Sequence, residues 1–244
     1  MKSPKYQKRI YRNWIYPGNL FRKNVVVRET DLEILCDKPI DEKYVTARVK
    51  KYRQQIETYI SKDEKFLTAL KPLEVDLSSA RIVREMAVCS RKANVGPMAT
   101  VAGAIAKYVG RDLLRKGAKA VIVENGGDIF LKVARPIKVG LFAGKKKLLS
   151  GLNLKIEPRE TPLGICASSG TMGHSLSFGN ADCVVILAKN AVLADAVATA
   201  ATNLVQGKAD LEKAVKFARS IKGVKGAVII FRNNLASWGK IEFV

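Results

Sequence analysis

The apolar residues of this chain fall into short strand-like runs and longer helix-like stripes that come in groups rather than in strict alternation. The runs NVVVRETDLEILCD (24–37) and AVIVENGGDIFLKV (120–133) each predict two strands joined by a turn, at 29–31 and at 125–127. A doubly wound parallel sheet would require regular β-α-β alternation. The grouping therefore favours an α+β fold, with mixed or antiparallel sheets and packed helices.

Three helix patterns lie between these strand pairs. The second is predicted over about 78–93 and the third over about 98–116, after Gly96-Pro97 breaks the chain. The third, MATVAGAIAKYVG, has few bulky side chains, which permits close approach of its backbone to another helix or to a ligand. The first helix opens at Pro39 and Asp41, and its apolar residues form one stripe that should face a core: Val45, Val49, Tyr52, Ile56 and Ile60.

Further strands and two helices complete the pattern. The helices are predicted over about 191–206 and 208–221. A chain of 244 residues is compatible with one domain or with two closely packed subdomains. We expect a single domain over 24–244 after a basic arm of residues 1–23. The predicted strands are IKVGLF (137–142), LNLKIE (152–157), LGICA (163–167), DCVVILA (182–188), GAVIIF (226–231) and KIEFV (240–244).

The composition is strongly basic. The chain has 43 Lys and Arg against 22 Asp and Glu, a formal net charge of +21, which favours polyanionic partners. Residues 1–28 carry 8 of the basic residues and no acidic one, with aromatic residues between them. That combination suits single-stranded nucleic acid. A solvated tail whose aromatic residues dock on the core is the alternative, so RNA binding by the arm is one hypothesis among others.

The sequence also indicates where in the cell the protein is expected to reside. No apolar run reaches the roughly 18 residues of a membrane span, and the basic start leads into no apolar segment of a secretory signal. We therefore expect a cytoplasmic protein without a membrane partner. The four cysteines form no C-x-x-C pair and are predicted to be reduced thiols packed as small hydrophobic residues. With His174 as the one histidine, nothing in the sequence supports a zinc site.

Two segments combine glycines with polar side chains. In ENGGD (124–128), Asn-Gly between apolar strands predicts a hairpin, because both turn positions need positive φ. The turn also leaves N–H groups open near Asp128; a hairpin with no further role is the alternative. The segment ASSGTMGHS (167–175) follows a strand and suits a loop whose N–H groups hold phosphate oxygens. It contains His174, and a plain surface turn is its alternative.

A third segment, VLADAVATAATN (192–203), places Asp195 and Thr199 one turn apart on one helix face. Its neighbours are almost all small and apolar, so an ionised Asp195 would need a partner, a capping role or a metal. A carboxylate and a hydroxyl are hard oxygen donors and suit Mg²⁺. The alternative, which spacing alone favours, is that Asp195 caps the first turn of its own helix.

In this order the segments resemble those of the ApbE proteins, the FAD:protein FMN transferases. Those proteins carry a G-G-I-A-K helix, an N-x-G-G-D segment, a T-S-G loop and an L-A-D-A-x-x-T-A helix. This chain has GAIAK at 103–107, NGGD at 125–128, SSGT at 168–171 and LADAVATA at 193–200. The match covers roughly residues 96–205. As a whole, the chain resembles even more an ApbE-related UPF family of unassigned function, which implies an ApbE-like, T-fold-like architecture.

The resemblance implies a metal-assisted flavin-nucleotide site for FAD or FMN. Asp195 and Thr199 match the Mg²⁺ ligands, completed by a main-chain carbonyl near Gly103 or Ala104 and by the pyrophosphate of FAD. His174 is the best candidate for a general base. The residues expected to bind the cofactor are Gly103, Lys107, Asn125, Gly126, Gly127, Asp128, Ser168, Ser169, Gly170 and Thr171.

One segment departs from the transferases. Between the T-S-G loop and the L-A-D-A helix they carry H-x-x-D-P-x-T-G, whereas this chain has HSLSFGNAD (174–182). The acceptor of a transferred group, another protein or a small molecule, is therefore open. The leading hypothesis is an Mg²⁺-dependent, FAD-binding enzyme acting at the pyrophosphate. The alternatives are a non-catalytic carrier of a flavin or another phosphorylated cofactor, and an RNA-binding protein that uses the arm.

Overall fold

The computed structural model describes residues 20–140, 153–170 and 178–244. An eight-stranded sheet dominates it, with the order β1-β2-β3-β4-β7-β8-β9-β10 and every pairing antiparallel. The strand order follows the chain order except that β5 and β6 form a separate antiparallel pair. The strands are β1 (Phe21–Val27), β2 (Thr30–Cys36), β3 (Val121–Asn125), β4 (Asp128–Lys132), β5 (Ile137–Gly140), β6 (Asn153–Ile156), β7 (Leu163–Ser168), β8 (Cys183–Ala188), β9 (Val224–Phe231) and β10 (Asn234–Gly239).

The helices follow the predicted apolar stripes. On the first helix, the predicted stripe is buried from Val45 to Ile56, and the Asp41 side chain accepts a hydrogen bond from the Tyr44 N–H, as expected of an N-cap. None of the described helices is long and apolar enough to cross a membrane. The helices are α1 (Glu42–Ile60), α2 (Lys65–Thr68), α3 (Arg81–Ala93), α4 (Val101–Arg115), α5 (Ala191–Leu204) and α6 (Leu211–Ser220).

Both faces of the central strands, such as β3 and β8, are buried. One face, which includes Val123 and Phe130, packs against the helices and forms the larger core. The other face includes Leu131 and packs against β5, β6 and the chain end, with Leu154 and Phe243 among the contacts. All four cysteines are free and buried, as predicted. The predicted α+β class with antiparallel sheets and packed helices is confirmed.

Two boundaries differ from the sequence-based expectation. The turn between β1 and β2 is Arg28-Glu29, one residue earlier than predicted, because Val27 pairs with Thr30. The predicted closing strand at 240–244 is not part of the main sheet: β10 runs from Asn234 to Gly239 and pairs with β9, whereas Phe243 forms an isolated antiparallel bridge with Leu154 of β6. β10 is an edge strand that alternates between half-buried and exposed positions, so its composition is too polar for an apolar-run criterion.

The N-terminal arm stays a prediction. β1 begins at Phe21, so the last three residues assigned to the 1–23 arm belong to the sheet. Residues 1–19 lie outside the described part of the chain.

The start of α5 lies directly on the backbones of β7 and α4. A methyl group at Gly164 of β7 would be 2.3 Å from Ala191 Cα, and one at Gly103 of α4 would be 2.6 Å from the Ala191 carbonyl oxygen. Small residues therefore determine how closely these three elements meet. This crossing brings the predicted site segments together.

Candidate functional site

The NGGD segment forms the tight turn between β3 and β4. Asn125 pairs with Asp128, and Gly126 and Gly127 have φ of 69° and 103°. The predicted hairpin is confirmed, with both glycines at positive φ. The Gly127 N–H donates to Glu124 Oε1 at 2.7 Å, and Asn125 Nδ2 donates to the Ala102 carbonyl at 3.2 Å. The turn is thereby bound to the first turn of α4.

Asp128 begins β4 on the face of the sheet that the helices cover. It lies opposite Cys166 of β7, and its side chain is only 7% exposed. Asp128 Oδ1 and the Oγ of Ser168, at the end of β7, are buried and have no hydrogen-bond partner within the described ranges. Buried polar atoms without partners are uncommon in native proteins and indicate a bound water, ion or ligand.

Asp195 does not cap its own helix. Asn190 does so instead, accepting from the Val192 N–H at 3.1 Å, and Asp195 lies in the second turn of α5. Asp195 Oδ2 accepts a 2.9 Å hydrogen bond from the Gly103 N–H in the first turn of α4. The glycine is needed there, because a methyl group at 103 would be 2.9 Å from Asp195 Cβ. The capping alternative is therefore wrong for α5. The Asp195 carboxylate instead binds a main-chain N–H group in the first turn of α4.

The two buried carboxyl groups perturb each other. Burial raises the pKa of Asp195 to about 7, an effect that the Gly103 N–H partly offsets. Burial, and then the charges of Asp195 and Glu124, raise the pKa of Asp128 well above its usual range. Without a compensating cation, the pair at neutral pH therefore holds a proton that exposed carboxyl groups would have lost.

Without Mg²⁺, we expect the free energy of unfolding to fall as the pH rises from 5 to 7. An unfolded Asp loses its proton near pH 3.9, whereas folded Asp195 holds one up to about 7, so the folded state binds more protons in this window and loses stability with rising pH. Urea unfolding in EDTA at pH 5, 6, 7 and 8 measures the slope. Asp128→Asn should make it shallower; equal slopes in the two proteins would contradict the pairing.

Some of the other predicted ligand residues belong to the described part of the chain, on α5 and at the end of β7. Thr199 is half-buried one turn beyond Asp195 on α5. Ser169 is already engaged in a contact within the protein. The Gly170 N–H donates to the Ala181 carbonyl at 2.9 Å. Thr171 and His174 lie outside the described residues.

Lys107 belongs to a separate polar network. Its ammonium forms an ion pair with Glu85 and donates to Asn190 Oδ1 at 3.0 Å, while Asn190 Nδ2 donates to Glu85 at 2.9 Å. Burial opposes ionisation of Glu85, but the hydrogen bond and charge of Lys107 prevail and lower its pKa. Sequence reasoning missed Glu85 and Asn190, although Asn190 directly precedes a helix pattern and is a favoured N-cap type.

The donor set suits a hard cation. Asp128 and Asp195 supply carboxylate oxygens, and Ser168 and Thr199 supply hydroxyl groups. In the described part of the chain, no group of three or more His, Cys, Asp or Glu residues forms a metal cluster. The protein would thus provide a partial oxygen shell. Mg²⁺ accepts this arrangement, because it keeps several waters or substrate phosphates as ligands.

Comparison with known sequences identifies close relatives. The sequence model of a family described as AbpE bacteria matches residues 12–237. A UPF0280 protein of Methanocaldococcus jannaschii is 39% identical over 226 residues, which cover 91% of each chain. One from Methanocella arvoryzae is 38% identical over 215 residues, covering 88% of this chain and 87% of the relative.

Comparison with solved structures supports the architecture. The flavin transferase ApbE of Vibrio cholerae superimposes with a TM-score of 0.57 at 14% identity, covering 90% of this chain and 96% of that chain. The flavinyl transferase ApbE of Pseudomonas stutzeri, in its apo form, gives 0.57 at 12% identity, with 91% and 95% covered. At these identities the likeness concerns the fold, which is therefore ApbE-like.

Proposed function

This chain belongs to the ApbE-related UPF0280 family, and we propose that it is an Mg²⁺-dependent enzyme that binds FAD and acts at its pyrophosphate. Two proteins of similar structure are named flavin transferase and flavinyl transferase. The observation that carries the proposal is the buried Asp128–Asp195 pair, with Asp128 Oδ1 and Ser168 Oγ left without partners. A divalent cation and a phosphorylated ligand would satisfy these groups.

The proposed roles follow from position. Asp195 and Thr199 would hold the metal from one face of α5, together with a main-chain carbonyl near Gly103. The metal would neutralise charge on the pyrophosphate oxygens. The negative charge of Asp195 contributes to the raised pKa of Asp128. A bound cation would offset that charge and thereby also stabilise Asp128 as a carboxylate.

The nucleotide would lie against the loop that follows β7. Ser168, Ser169, Gly170 and Thr171 would contact it, with Ser168 Oγ free to donate to a phosphate oxygen because no described group accepts from it. Gly126 and Gly127 would line the site beside this loop, because the Gly127 carbonyl accepts from the Ala167 N–H at 3.2 Å. We propose His174 as the general base. If the AMP half of FAD contributes nothing to binding, FMN would be the ligand instead. Lys107 receives a structural role because Glu85 and Asn190 hold its ammonium.

Calorimetric titration of FAD into the full chain, first with Mg²⁺ and then with EDTA, tests the site. We expect saturable binding at one site that requires Mg²⁺, because without the cation no positive charge would offset the buried carboxyl groups and the anionic pyrophosphate. FMN and ADP, titrated in the same buffers, show which half of FAD carries the affinity. Absence of FAD binding in both buffers would contradict the proposal.

A carrier without turnover is the second candidate, and the missing D-P-x-T-G segment favours it. Incubation with FAD and Mg²⁺, followed by chromatographic analysis, distinguishes the two functions. An enzyme that acts at the pyrophosphate releases AMP together with FMN, which is either free when water is the acceptor or bound to another acceptor, whereas a carrier returns FAD intact. The acceptor would be another protein or a small molecule, and we place the reaction in the cytoplasm. RNA binding by the arm remains a prediction with no residue in the described site.

A further inference from the structure

A basic cavity lies between α1, the start of α3 and the second half of α4. Its volume is 230 Å³, and none of the proposed FAD-site residues lines it. Five of its eight lining residues are cationic and none is acidic; the others are two tyrosines and a glutamine. The five cationic residues are Arg48, Lys51, Arg81, Arg111 and Arg115.

Asp112 holds two of these guanidinium groups in position from behind the cavity wall. Its side chain is buried and accepts from Arg48 Nε at 2.5 Å and from Arg115 Nη1 at 2.9 Å. The Tyr52 hydroxyl donates to the same carboxylate at 2.5 Å and accepts from Arg48 Nη2 at 2.8 Å. One carboxylate thus orients two arginines, which leaves a surplus positive charge and ordered N–H donors.

The other three cationic residues are not neutralised. Lys51, Arg81 and Arg111 make no ion pair or hydrogen bond with any residue in the described ranges. Arg81 is the first residue of α3, and the first turn of that helix contains no acidic residue. Cations gathered around a partly enclosed cavity concentrate positive potential there and attract anions.

We propose that this cavity is a second ligand site, which binds a small oligophosphate anion, that is, a diphosphate or triphosphate group. Planar guanidinium groups match phosphate oxygens in geometry, and four of the five cations are arginines. The cavity is smaller than the roughly 300–1,000 Å³ of sites that enclose whole drug-sized ligands. It therefore fits a phosphate chain, either as a free anion or as the part of a nucleotide that enters the cavity.

Titration calorimetry of tripolyphosphate, pyrophosphate and ATP into the full chain tests the proposal, with EDTA present so that the metal site is silent. We expect one saturable site for tripolyphosphate at near-physiological salt. Equal affinities for ATP and tripolyphosphate would identify the phosphate chain alone as the ligand, and tighter ATP binding would identify a nucleotide. Asp195→Asn should bind tripolyphosphate like the parent, which separates this site from the proposed function.

Paired arginine variants provide the matched comparison. We expect the Arg81→Gln, Arg111→Gln double variant to bind tripolyphosphate at least about tenfold more weakly, because it loses at least one charge-assisted hydrogen bond to the ligand. Arg135→Gln with Arg159→Gln removes the same charge from two exposed arginines outside the cavity and should change affinity less than about twofold, as screened surface charges do. Thermal unfolding of both variants checks that the fold is retained.

Three results would overturn the proposal. One is the absence of saturable binding in the parent protein. Another is an equal loss of affinity in the two double variants, since that pattern means diffuse attraction by the +21 chain. The third is tighter binding of a short single-stranded RNA than of tripolyphosphate, with the RNA affinity depending on the same two arginines. That result would identify the cavity as a nucleic-acid site.

Discussion

Asp195→Asn is expected to lower Mg²⁺-dependent FAD affinity more than 100-fold while leaving the fold intact. Changes in the outer shell of a metal site typically cost about 10–100-fold, and this change removes a charged donor from the shell itself. The fold survives because an amide oxygen can still accept from the Gly103 N–H. Neutralising one of two buried carboxyl groups should also leave stability in EDTA unchanged or raised. Calorimetry with Mg²⁺ and denaturant titration in EDTA measure the two effects.

Asp210→Asn is the matched control. Asp210 also accepts hydrogen bonds from main-chain N–H groups, those of Gln206 and Gly207 beyond the far end of α5, so the charge change and the local chemistry are alike. This variant should bind FAD as the parent does. Asp195→Asn with undiminished Mg²⁺-dependent affinity would remove the metal assignment from α5.

Gly164→Ala is expected to reduce the free energy of unfolding by about 3 kcal/mol, the upper part of the range for overpacked cores. The added methyl group would lie 2.3 Å from Ala191 Cα and 2.6 Å from Ala191 N. Both are main-chain atoms at the start of α5, so no side-chain rotation can relieve the contact, and the helix must move. Because α5 carries Asp195, we expect FAD binding to weaken together with stability.

Gly207→Ala gives the reference for this substitution. A methyl group at 207 would meet nothing within 4 Å, and φ of −158° suits alanine. Its stability should stay within about 0.5 kcal/mol of the parent, as is usual for surface changes. If Gly164→Ala were equally neutral in denaturant titrations, the close approach of α5 to β7 would be refuted.

Local patterns predicted the elements of the candidate site better than its assembly. Asn125-Gly126 predicted the hairpin because few residues accept positive φ at two successive positions, although the two residues with positive φ in the structure are Gly126 and Gly127. The spacing of Asp195 and Thr199 placed both on one helix face. Neither pattern shows that the Asp195 carboxylate binds an N–H group 92 positions away. The unpaired Asp128 oxygen likewise emerges only when β7 and the helices cover it.

Other features depend on tertiary contacts that local pattern does not show. Lys107 matches a family motif, yet its ammonium is held by Glu85 and Asn190, which lie 22 and 83 positions away. The basic cavity gave no sequence pattern, since its residues come from three helices and the charge of +21 is spread along the chain. β10 was misplaced because an edge strand with one solvated face needs few apolar residues.

The crossing of α4, α5 and β7 at Ala191 affects how a ligand would be bound. Main-chain atoms, rather than long side chains, meet at this point, and Asp195 already has its hydrogen bond from Gly103. A ligand arriving here would immobilise few rotatable bonds in the protein, so little conformational entropy would be lost on binding. We therefore expect the crossing of α4, α5 and β7 to keep nearly the same arrangement before and after binding.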